Sequence, residues 1–550
     1  MSENISELSG RKGLAKNLFE ELGVAAAETG TPGIEKLEKL REEFLVGKST
    51  VYGTVSFYDF LKPENKGKKV YVCNGSACLL AGTQNSLHSN LEKHYPANEI
   101  GEMCCLGRCH ENSAFHLAGK NYSGNDIQEI LKIKEGKSAS GEKYNVACKG
   151  SPVLTGETGP VKEYYKILTE ALKKSADELL LQLKESGLRG RGGAGFSTAF
   201  KIQSCRNTIS DTKFIVCNAD EGDPGAYSDR YIMENRPHAL LLGMMLAGYM
   251  AGAETGVVYI RGEYPESVEI ISDCVEVLRG ENLLGSDIRG TGFNFDFKVI
   301  KAQGAYICGE ETALLSSIEG QRPEVRVRPP YPAQKGLFNK PTIVNNVETL
   351  ANLPFILKNG GKAFAAIGTP KSSGTKLISL DGYFNNPGIF EVDMGTPLSV
   401  VIHELGGGFR KPVKAMHIGG PLGGLVPVSK IENLTVDFDS FAKEGFLLGH
   451  ASVVCIPAEY PLIKYIEHLF RFTAHESCGK CFPCRIGSTR GYEMVEKAQK
   501  EDYKMDIRLM NDLLETLETG SLCALGGGLP LPIKNAMKYF EDELSVYFKK

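Results

Sequence analysis

Two closely spaced sets of cysteines restrict this chain more than any other feature of its sequence. Cys478, Cys481 and Cys484 form a C-x2-C-x2-C motif in ESCGKCFPCRIG, and Cys523 follows in SLCALGG. Three thiolates in one short segment can converge only if the backbone wraps around a metal centre. A cubane needs four thiolate ligands, and three close cysteines with a distant fourth supply them. The pattern predicts a [4Fe-4S] site with these four ligands.

Zinc is the main alternative at this C-terminal set. Zinc sites usually use paired C-x2-C knuckles, and three close cysteines with one remote cysteine fit that arrangement less well. Buried free thiols would rarely fall in this pattern. Lys480 and Arg485 stand beside the cysteines and would offset the negative charge of a cluster. We therefore favour iron–sulfur over zinc.

The N-terminal set consists of two cysteine pairs. Cys73 and Cys78 give C-x4-C in VCNGSAC, and Cys105 and Cys109 give C-x3-C in CLGRC. Two pairs on two loops can hold one [2Fe-2S] centre, each pair gripping one iron. Cys104 competes with Cys105, because Cys104 and Cys109 also give C-x4-C. A zinc site and a redox disulfide are the alternatives. The C-x4-C spacing differs from the C-x-x-C spacing of thioredoxin-type catalysis.

Composition and charge limit the cellular context. The N-terminal stretch MSENISELSGRKGLAKNLFEEL has no apolar core of a secretory signal, and clustered cysteines in such a chain indicate metal more often than disulfides. The formal net charge of −4 argues against a basic nucleic-acid-binding surface. The longest uncharged run, residues 239–252, is shorter than the roughly 20 apolar residues of a spanning helix. We expect a cytoplasmic protein with no nucleic-acid partner and no direct membrane span.

Periodicity and composition divide the chain into five segments. Residues 1–136 combine a helical stretch with a small domain of alternating strands and helices, and residues 137–160 are rich in Gly, Ser and Pro and predict a linker. Residues 161–365 alternate strands and helices and predict a layered α/β domain. Residues 366–435 predict a small α+β domain, and residues 436–550 are mainly helical around the second cysteine set.

A glycine-rich loop precedes the first long strand. Gly190, Gly192 and Gly195 in GRGGAG match G-x-G-x-x-G, but the dinucleotide fingerprint needs a strand before the loop. The preceding residues are helical, so we exclude an ordinary Rossmann site. Bare backbone N–H groups could still cradle a phosphate, and an adjacent aromatic, Phe196, could stack on a flat ring. Positive charge is available from Arg189, Arg191 and Lys201. A simple glycine-rich turn is the alternative.

Two further stretches carry polar side chains suited to a ligand. CNADEGDPGAYSDR follows the strand KFIVC, and GAYICGEETALLSSIEG enters a helix. Strand ends are where α/β folds bind ligands, whereas carboxylates at a helix start are also ordinary partners of the helix dipole. The side chains concerned are Asn218, Asp220, Glu221 and Asp223 in the first stretch and Glu310 and Glu311 in the second.

Together these motifs resemble one family. Residues from about 161 to 550 resemble the NADH-binding flavoprotein subunit of respiratory complex I, a module that also occurs in NAD-linked [FeFe]-hydrogenases and formate dehydrogenases. The matching blocks are GLRGRGGAGF, CNADEGDPGAYSDR, YIRGEY, GAYICGEETALL, KPTIVNNVETL and ESCGKCFPCR with SLCALGG. Residues 40–136 resemble the thioredoxin-like [2Fe-2S] subunit through VYGTVSFYDF, VCNGSAC and CLGRC. The fusion is most similar to the beta subunit of NAD-linked, often electron-bifurcating, hydrogenases.

The resemblance implies FMN and NAD(H) as cofactors beside the two clusters. It implies an FMN site made of Gly190, Arg191, Gly192, Gly193, Lys201, Asn218, Asp220, Glu221, Tyr306, Gly309, Glu310, Asn345 and Asn346. It implies an NAD site made of Phe196, Asp223, Glu311, Arg328 and Tyr331. Cys105, not Cys104, falls on the family's ligand position. No catalytic side chain is implied, because the flavin carries the chemistry.

The resemblance also implies a fold, an activity and partners. The fold is multidomain α/β: a thioredoxin-like N-terminal domain, an α/β FMN-binding domain, a ubiquitin-like (SLBB-type) α+β domain and a C-terminal helical bundle. The activity is hydride exchange between NADH and FMN, followed by one-electron transfer to the clusters. The partners are a catalytic hydrogenase, formate dehydrogenase or similar subunit, a small [2Fe-2S] subunit and ferredoxin.

Some positions depart from the family pattern. Asp223 stands where complex I usually has Glu, Arg328 and Tyr331 stand where it often has Lys and Phe, and Ser204 replaces an aromatic. These differences leave open whether the chain prefers NAD or NADP. The sequence has no ferredoxin-like tail after the helical segment, which leaves electron bifurcation open as well. The alternatives are a wiring subunit that keeps its clusters without NAD turnover and a zinc-stabilised interaction protein.

Overall fold

The computed structural model describes residues 13–14, 17–26, 30–135, 142 and 144–549. Its strands in chain order are β1 (Val70–Cys73), β2 (Ile100–Met103), β3 (Ala114–Leu117), β4 (Lys120–Ser123), β5 (Asn145–Lys149), β6 (Phe214–Ala219), β7 (Thr255–Ile260), β8 (Asp296–Lys301), β9 (Thr342–Asn346), β10 (Thr375–Leu380), β11 (Gly388–Asp393), β12 (Val413–Ile418), β13 (Gly424–Pro427), β14 (Ser452–Pro457), β15 (Met505–Asp506) and β16 (Phe548–Lys549).

The N-terminal domain is built on a four-stranded sheet in the order β2-β1-β3-β4. Strands β1 and β2 are parallel, and the other neighbours are antiparallel. Every residue of β1 is buried, because both faces of the sheet are covered. Cys73 ends this strand and Cys78 lies in the next helix, so the strand end fixes one cysteine pair. The helices are Leu18–Ala26, Ile34–Glu43, Lys48–Val55, Ser76–Ala81, Gln84–Leu91 and Ile130–Lys134.

A parallel sheet in the order β8-β7-β6-β9 forms the centre of the next domain. Its strands read as continuous apolar runs such as FIVCNA and TGVVYI, which is typical of a sheet covered on both faces. The chain leaves β6 toward β7 and returns on its other side as β9, so β6 and β9 flank a topological switch point, where open α/β sheets bind ligands. The helices are Val161–Tyr164, Lys166–Ala171, Ala176–Ser186, Thr198–Asn207, Ser228–Asn235, Pro237–Ala251, Pro265–Gly280, Glu311–Ile318, Val347–Ala351, Leu353–Asn359 and Gly361–Ala365.

A six-stranded mixed sheet follows, in the order β13-β12-β14-β10-β11-β5. Strand β5 lies inside residues 137–160, the stretch predicted as a linker, and it pairs in parallel with β11. Strand β14 lies beyond residue 435, where we placed the end of the α+β segment. A buried ion pair between Lys376 on β10 and Glu348 joins this sheet to the helix Val347–Ala351 of the preceding domain. The sheet is thereby fixed to the parallel-sheet domain.

Helices make up most of the C-terminal part. They are Phe438–Lys443, Leu462–Glu476, Ser488–Lys500, Ile507–Gly520, Ala524–Gly528, Pro530–Tyr539 and Glu541–Leu544. Cys478 follows the first long helix of this group and Cys523 follows Ile507–Gly520, so the helix ends bring the distant cysteine toward the C-x2-C-x2-C motif. Among the described residues, no helix combines the length and the apolar character needed to cross a membrane.

Candidate functional site

A cavity of about 380 Å³ opens at the switch point, where β6 and β9 end. Its size is that of a small-molecule site. The predicted residues that line it are Gly192, Gly193, Asn218, Asp220, Glu221, Asp223, Tyr306, Gly309, Glu310 and Asn346. Lining residues that the sequence did not single out include Gly222, Asp229, Leu422, Gly449, His450, Ala524 and Leu525. The glycine loop and both acidic stretches therefore meet at one place.

The glycine loop forms one wall of the cavity without side chains. The Gly190 N–H donates to the carbonyl of Phe196 at 2.8 Å and closes the loop. Gly193 has a φ of 119°, which L side chains rarely adopt. A Cβ atom on Gly192 would lie only 2.9 Å from the Cβ of Asn346. Glycine at these positions leaves room for a ligand to approach the backbone.

Several buried polar atoms at this site have no partner in the described part of the chain. They are Asp220 Oδ2, Asp229 Oδ1 and His450 Nδ1. Buried polar groups in proteins are almost always hydrogen-bonded. Burial also raises the pKa of Asp220 well above its ordinary value. A ligand rich in donors and acceptors, such as FMN, fits a wall of this composition.

Glu221 and Asp229 share a hydrogen-bond network with His450 at the floor of the cavity. Glu221 accepts from the N–H groups of Asp229 and Arg230 at 2.9 and 3.1 Å, where the helix Ser228–Asn235 begins. His450 Nε2 lies 3.2 Å from Asp229 Oδ2 and 3.7 Å from Glu221 Oε1. Burial opposes the charge on His450, but the Asp229 and Glu221 carboxylates outweigh it and raise the pKa of His450 to about 9. Burial, helped by Asp229, raises the pKa of Glu221 to about 7.

Hydrogen bonds fix the opposite wall. The Tyr306 hydroxyl donates to Asp223 Oδ1 at 2.7 Å, and its backbone N–H donates to Glu476 Oε2 at 2.9 Å. The Asn218 amide donates to the carbonyl of Gly309 at 2.8 Å. These bonds tie the wall to the helix Leu462–Glu476, which leads into the C-terminal cysteines.

Charged side chains form a chain of ion pairs beside the cavity. Glu310 caps the helix Glu311–Ile318, where its carboxylate accepts from two backbone N–H groups. Glu311 accepts from Lys201 Nζ at 3.1 Å and from Arg328 Nη1 at 2.8 Å. The predicted NAD contact Glu311 is thus placed between the predicted FMN contact Lys201 and the predicted NAD contact Arg328.

Some predicted contacts lie outside the lining of the cavity. Phe196 and Tyr331 are 50 and 55% exposed, so both rings are accessible to a ligand from solution. The guanidinium of Arg191 is fully buried and donates to the carbonyl of Ser373, while its Nε and Nη1 atoms have no partner among the described residues. Lys201, Glu311, Arg328, Gly190 and Asn345 also do not line the cavity itself. Their assignment to cofactors stays a prediction.

The C-terminal cysteines converge beside this cavity. All cysteines are free thiols, with Cys478 and Cys484 buried. Burial, with the nearby thiols of Cys481 and Cys478, raises the pKa of Cys484 to about 11. Burial, with Glu310 and the thiols of Cys478 and Cys484, raises the pKa of Cys523 to about 12. Cys478 and Cys484 belong to one buried cluster, and Cys481 and Cys523 pack against it. A set of four thiols fits a [4Fe-4S] cluster.

Cys523 also connects the cluster site to the cavity. The two residues that follow it, Ala524 and Leu525, line the cavity directly. Glu310, another lining residue, is close enough to raise the pKa of the Cys523 thiol. A ligand in the cavity and a cluster on these cysteines would therefore be neighbours.

The N-terminal cysteines form a second group. Cys105 Sγ and Cys109 Sγ are 3.5 Å apart, and a hydrogen bond between these thiols lowers the pKa of Cys105 to about 6. A hydrogen bond from the Cys78 thiol lowers the pKa of Cys73. Charge on Cys105 also affects both Cys73 and Cys78. The loop between Cys73 and Cys78 also packs against Cys105, because a Cβ atom on Gly75 would lie 3.4 Å from the Cβ of Cys105. Two cysteine pairs placed in this way fit a [2Fe-2S] centre.

Cys104 faces a different environment. It lines a separate cavity of about 870 Å³ between the N-terminal domain and the helix Leu462–Glu476. Burial, with the charge of Glu476, raises its pKa well above the ordinary value. The charges of Cys105 and Cys73 also act on the Cys104 thiol, so Cys104 lies near the same group. The assignment of Cys105 rather than Cys104 as the ligand stays a prediction.

One loop joins the N-terminal cysteines to the cavity. The Gly225 N–H donates to Cys109 Sγ at 3.2 Å, while Glu221, Gly222 and Asp223 of the same loop line the cavity. Only this short segment separates the second cysteine group from the ligand space.

The sequence reasoning missed His450 and Asp229. They stand 221 positions apart, and His450 belongs to none of the motifs. Asp229 lies at the edge of the CNADEGDPGAYSDR block, so its position just after the strand β6 was the only available signal.

Three family models match successive parts of the chain. Residues 183–355 match the Nuo51 FMN-binding domain, and residues 464–547 match the iron-sulfur binding region of NADH-ubiquinone oxidoreductase-F. Residues 6–137 match the thioredoxin-like [2Fe-2S] ferredoxin. The predicted cofactor set and the thioredoxin-like N-terminal domain of a multidomain α/β protein are confirmed.

Relatives are found among hydrogenase and respiratory proteins. The chain is 41% identical over 386 residues to the NADP-reducing hydrogenase subunit HndC of Solidesulfovibrio fructosivorans, covering 70% of this chain and 78% of the relative. It is 39% identical over 390 residues to a subunit of the NADH-quinone oxidoreductase of Rhizobium meliloti, covering 70 and 92%. It is 37% identical over 394 residues to the mitochondrial NADH dehydrogenase (ubiquinone) flavoprotein 1 of Dictyostelium discoideum, covering 70 and 82%.

A solved structure matches over the whole length. A chain of an NAD⁺-reducing [NiFe]-hydrogenase in the air-oxidized state superposes with a TM-score of 0.85 at 26% identity, covering 100% of this chain and 95% of that one. The matching domains and the extent of these alignments show that the chain belongs to the family of NADH-binding FMN and iron–sulfur subunits of NADH-quinone oxidoreductases and related hydrogenases, fused to a thioredoxin-like [2Fe-2S] domain.

Proposed function

We propose that this chain is the diaphorase subunit of a larger cytoplasmic oxidoreductase and exchanges electrons with NAD(H) in the cavity at the switch point. The observation that carries the proposal is the continuity between Cys523 and the cavity wall at Ala524 and Leu525. FMN, when bound, accepts hydride from NADH and exchanges single electrons with clusters. The residues of the chain bind and orient the rings and shield them from water.

Each wall has a separate task. Gly192 and Gly193 line the cavity, and backbone N–H groups without side chains around them suit the phosphate end of FMN. Asp220 and Asn346 supply polar atoms for the rest of the molecule. Tyr306, held by Asp223 and Glu476, presents a rigid ring to the isoalloxazine.

The nicotinamide dinucleotide enters from the exposed side. Phe196 offers a half-exposed ring for stacking, and Tyr331 offers a second. Arg328 is held by Glu311 at 2.8 Å, so its remaining N–H groups are preorganised for a phosphate. Asp223, half-buried beside Tyr306, completes the set assigned to NAD.

We assign electron exit to the [4Fe-4S] site of Cys478, Cys481, Cys484 and Cys523. The [2Fe-2S] site of Cys73, Cys78, Cys105 and Cys109 is a second acceptor or branch, reached across the loop that carries Gly225. Both sites border the cavity, so the cavity is the junction of the two routes.

The surface over the C-terminal cysteines suits a protein partner. Phe482 is 67% exposed, and Ile486 and Leu522 are both 39% exposed. Apolar side chains grouped on a surface mark interaction sites. We assign this surface to the next electron carrier of the assembly, a catalytic hydrogenase, formate dehydrogenase or similar subunit; a small [2Fe-2S] subunit and ferredoxin are further partners.

The domain assignments complete the proposal. We assign residues 1–136 to the helical segment with the [2Fe-2S] domain, 137–160 to a connector that includes β5, and 161–365 to the FMN/NAD domain. We assign 366–435 to a ubiquitin-like domain, with β14 added from the following segment, and 436–550 to the helical [4Fe-4S] domain.

Anaerobic addition of NADH to the FMN-loaded chain tests the proposal. We expect loss of the flavin absorbance, followed by EPR signals of both reduced clusters. A flavin-loaded protein that neither NADH nor NADPH reduces would contradict the proposal. A wiring subunit would show the cluster signals with dithionite but not with NADH.

Two variants sharpen this test. Phe196→Ala removes a stacking ring worth about 1 kcal/mol, so the NADH concentration for half-reduction should rise about fivefold to tenfold. Leu181→Ala removes an apolar side chain that is 57% exposed on the helix Ala176–Ser186, outside the cavity, and should leave that concentration unchanged.

The N-terminal cluster gives a second prediction. Cys105→Ser should abolish the [2Fe-2S] EPR signal, because it removes one of the grouped thiols, whereas Cys104→Ser should keep it. The iron content should fall by the two iron atoms of one [2Fe-2S] cluster in Cys105→Ser, and it should not fall in Cys104→Ser. The opposite result would assign Cys104 as the ligand, and loss in neither variant would place the cluster elsewhere.

A further inference from the structure

A buried histidine at the floor of the cavity has no role in the function proposed so far. His450 is 6% exposed and lines the same cavity as Asp220 and Tyr306. Its Nε2 atom is engaged by Asp229 Oδ2 at 3.2 Å, whereas its Nδ1 atom is buried and has no partner among the described residues. An imidazole held at one nitrogen therefore has its other nitrogen free for a ligand.

The surroundings of His450 stabilise its charged form. Asp229 is itself held in place, because the Asn346 amide donates to its Oδ2 atom at 2.5 Å. Glu221 lies 3.7 Å from the ring. Both carboxylates come from the helix Ser228–Asn235 and the loop before it, and they keep the imidazole protonated to about pH 9 by raising its pKa against the effect of burial.

Other charged groups face His450 from the remaining elements. Asp223 interacts with it from the loop after β6. Lys376 on β10 is the nearby cation, and Glu348 neutralises it in a buried ion pair. The charged groups facing the ring are therefore Asp229, Glu221, Asp223 and the Lys376–Glu348 pair.

The change in charge on flavin reduction indicates a role for His450. Hydride transfer moves one proton with two electrons, so NADH becomes NAD⁺ and the ring system in the cavity gains one negative charge. Asp220, Glu221, Asp223 and Asp229 are carboxyl groups and offer no positive charge to offset it. Within the described lining of the cavity, His450 is the side chain that can carry one.

We propose that His450, held by Asp229 and Glu221, is the cation that stabilises the reduced flavin and so sets the FMN potential in this chain. The inference rests on FMN occupying the cavity as proposed above. His450 acts as a fixed charge with an N–H donor, and it gives up no proton in the hydride step.

A redox titration of the FMN-loaded full chain with dithionite and mediator dyes tests this role. His450→Gln keeps a hydrogen-bonding side chain but removes the charge. We expect the equilibrium between oxidised and reduced FMN to shift at least tenfold toward the oxidised form, which is about 30 mV for a two-electron couple. His417→Gln is the control, because His417 is a buried histidine hydrogen-bonded to Tyr465 and Gly423, and burial lowers its pKa to about 4.

The wild-type chain provides a test that does not depend on a variant folding. The added negative charge raises the pKa of His450 further, so above about pH 9 reduction should take up one extra proton. The potential should then fall more steeply with pH, by about 30 mV more per unit for one extra proton per two electrons. The steepening should be absent in His450→Gln.

The two proposals can fail separately. An unchanged potential in His450→Gln, with no steeper slope in the wild type, overturns the role of His450 even if NADH reduces both proteins. If the potential shifts as expected but NADH reduces neither protein, the role of His450 stands and the proposed diaphorase function fails.

Discussion

Replacing Cys481 by alanine is expected to remove the [4Fe-4S] cluster and to stop electron delivery to the partner subunit. A cubane cannot be completed with three of its four thiolates. Cys481 is only partly buried, so the fold should tolerate its loss. NADH should still bleach the flavin, whereas NADH-dependent turnover of the assembled complex should fall by about a hundredfold or more, because the electrons lose their proposed exit from the flavin.

Iron content and EPR of the purified protein check this result. The control is Cys274→Ala, which removes a partly buried free thiol on the helix Pro265–Gly280, away from both cysteine groups. It should keep both cluster signals and full turnover. Retention of the [4Fe-4S] signal in Cys481→Ala would show that this thiol is not a ligand.

Replacing Gly192 by valine is expected to eliminate tight FMN binding. Its Cβ would lie 2.9 Å from Asn346 Cβ, and Asn346 in turn holds Asp229. Overpacking of this kind costs about 1–3 kcal/mol, and displacement of a ligand-facing backbone adds to it. We expect the dissociation constant for FMN to rise by about a hundredfold, as measured by fluorescence titration of the deflavinated protein.

Gly280→Ala is the control for this substitution. Gly280 ends the helix Pro265–Gly280 and has open space around the position of a Cβ, so its FMN affinity should equal that of the wild type. Iron content should stay constant in both variants, because neither position touches a cysteine. Unaltered FMN affinity in Gly192→Val would mean that the flavin does not approach this loop.

The cysteine groups show what local sequence can predict. The predicted ligands Cys478, Cys481 and Cys484 are close along the chain. Because a cluster needs its ligands at a restricted spacing, such a pattern can be recognised in the sequence. The glycine loop can be recognised for the same reason, because its glycines also stand close together in the sequence. The helix before Gly190 also argued correctly against a Rossmann loop, since the structure has the helix Ala176–Ser186 there.

Contacts between distant segments were not predictable in this way. His450 and Asp229 pair only because the mixed sheet packs on the parallel sheet, which no local pattern encodes. Strand β5 lies in a stretch whose Gly, Ser and Pro content predicts a linker. Most of its residues are exposed, so it lacks the apolar alternation of a half-buried strand. Its pairing with β11 supplies the hydrogen bonds that its own side chains do not suggest.

The ion pairs around Glu311 show a third limit. The sequence identified Lys201, Glu311 and Arg328 as polar residues suited to ligands, but not that they bind one another at 3.1 and 2.8 Å. Residue type alone cannot separate a charge kept for a ligand from a charge that is already neutralised.

The loop from Asp220 to Gly225 has a thermodynamic consequence. Its first residues line the cavity that we propose for the flavin, and its Gly225 N–H donates to the sulfur of Cys109. Electron density on that sulfur strengthens this bond, and the bond in turn restrains the loop. Thermodynamic linkage is reciprocal. If a bound ligand changes the reduction equilibrium of the N-terminal centre by some factor, reduction of that centre changes the affinity of the cavity for the ligand by the same factor.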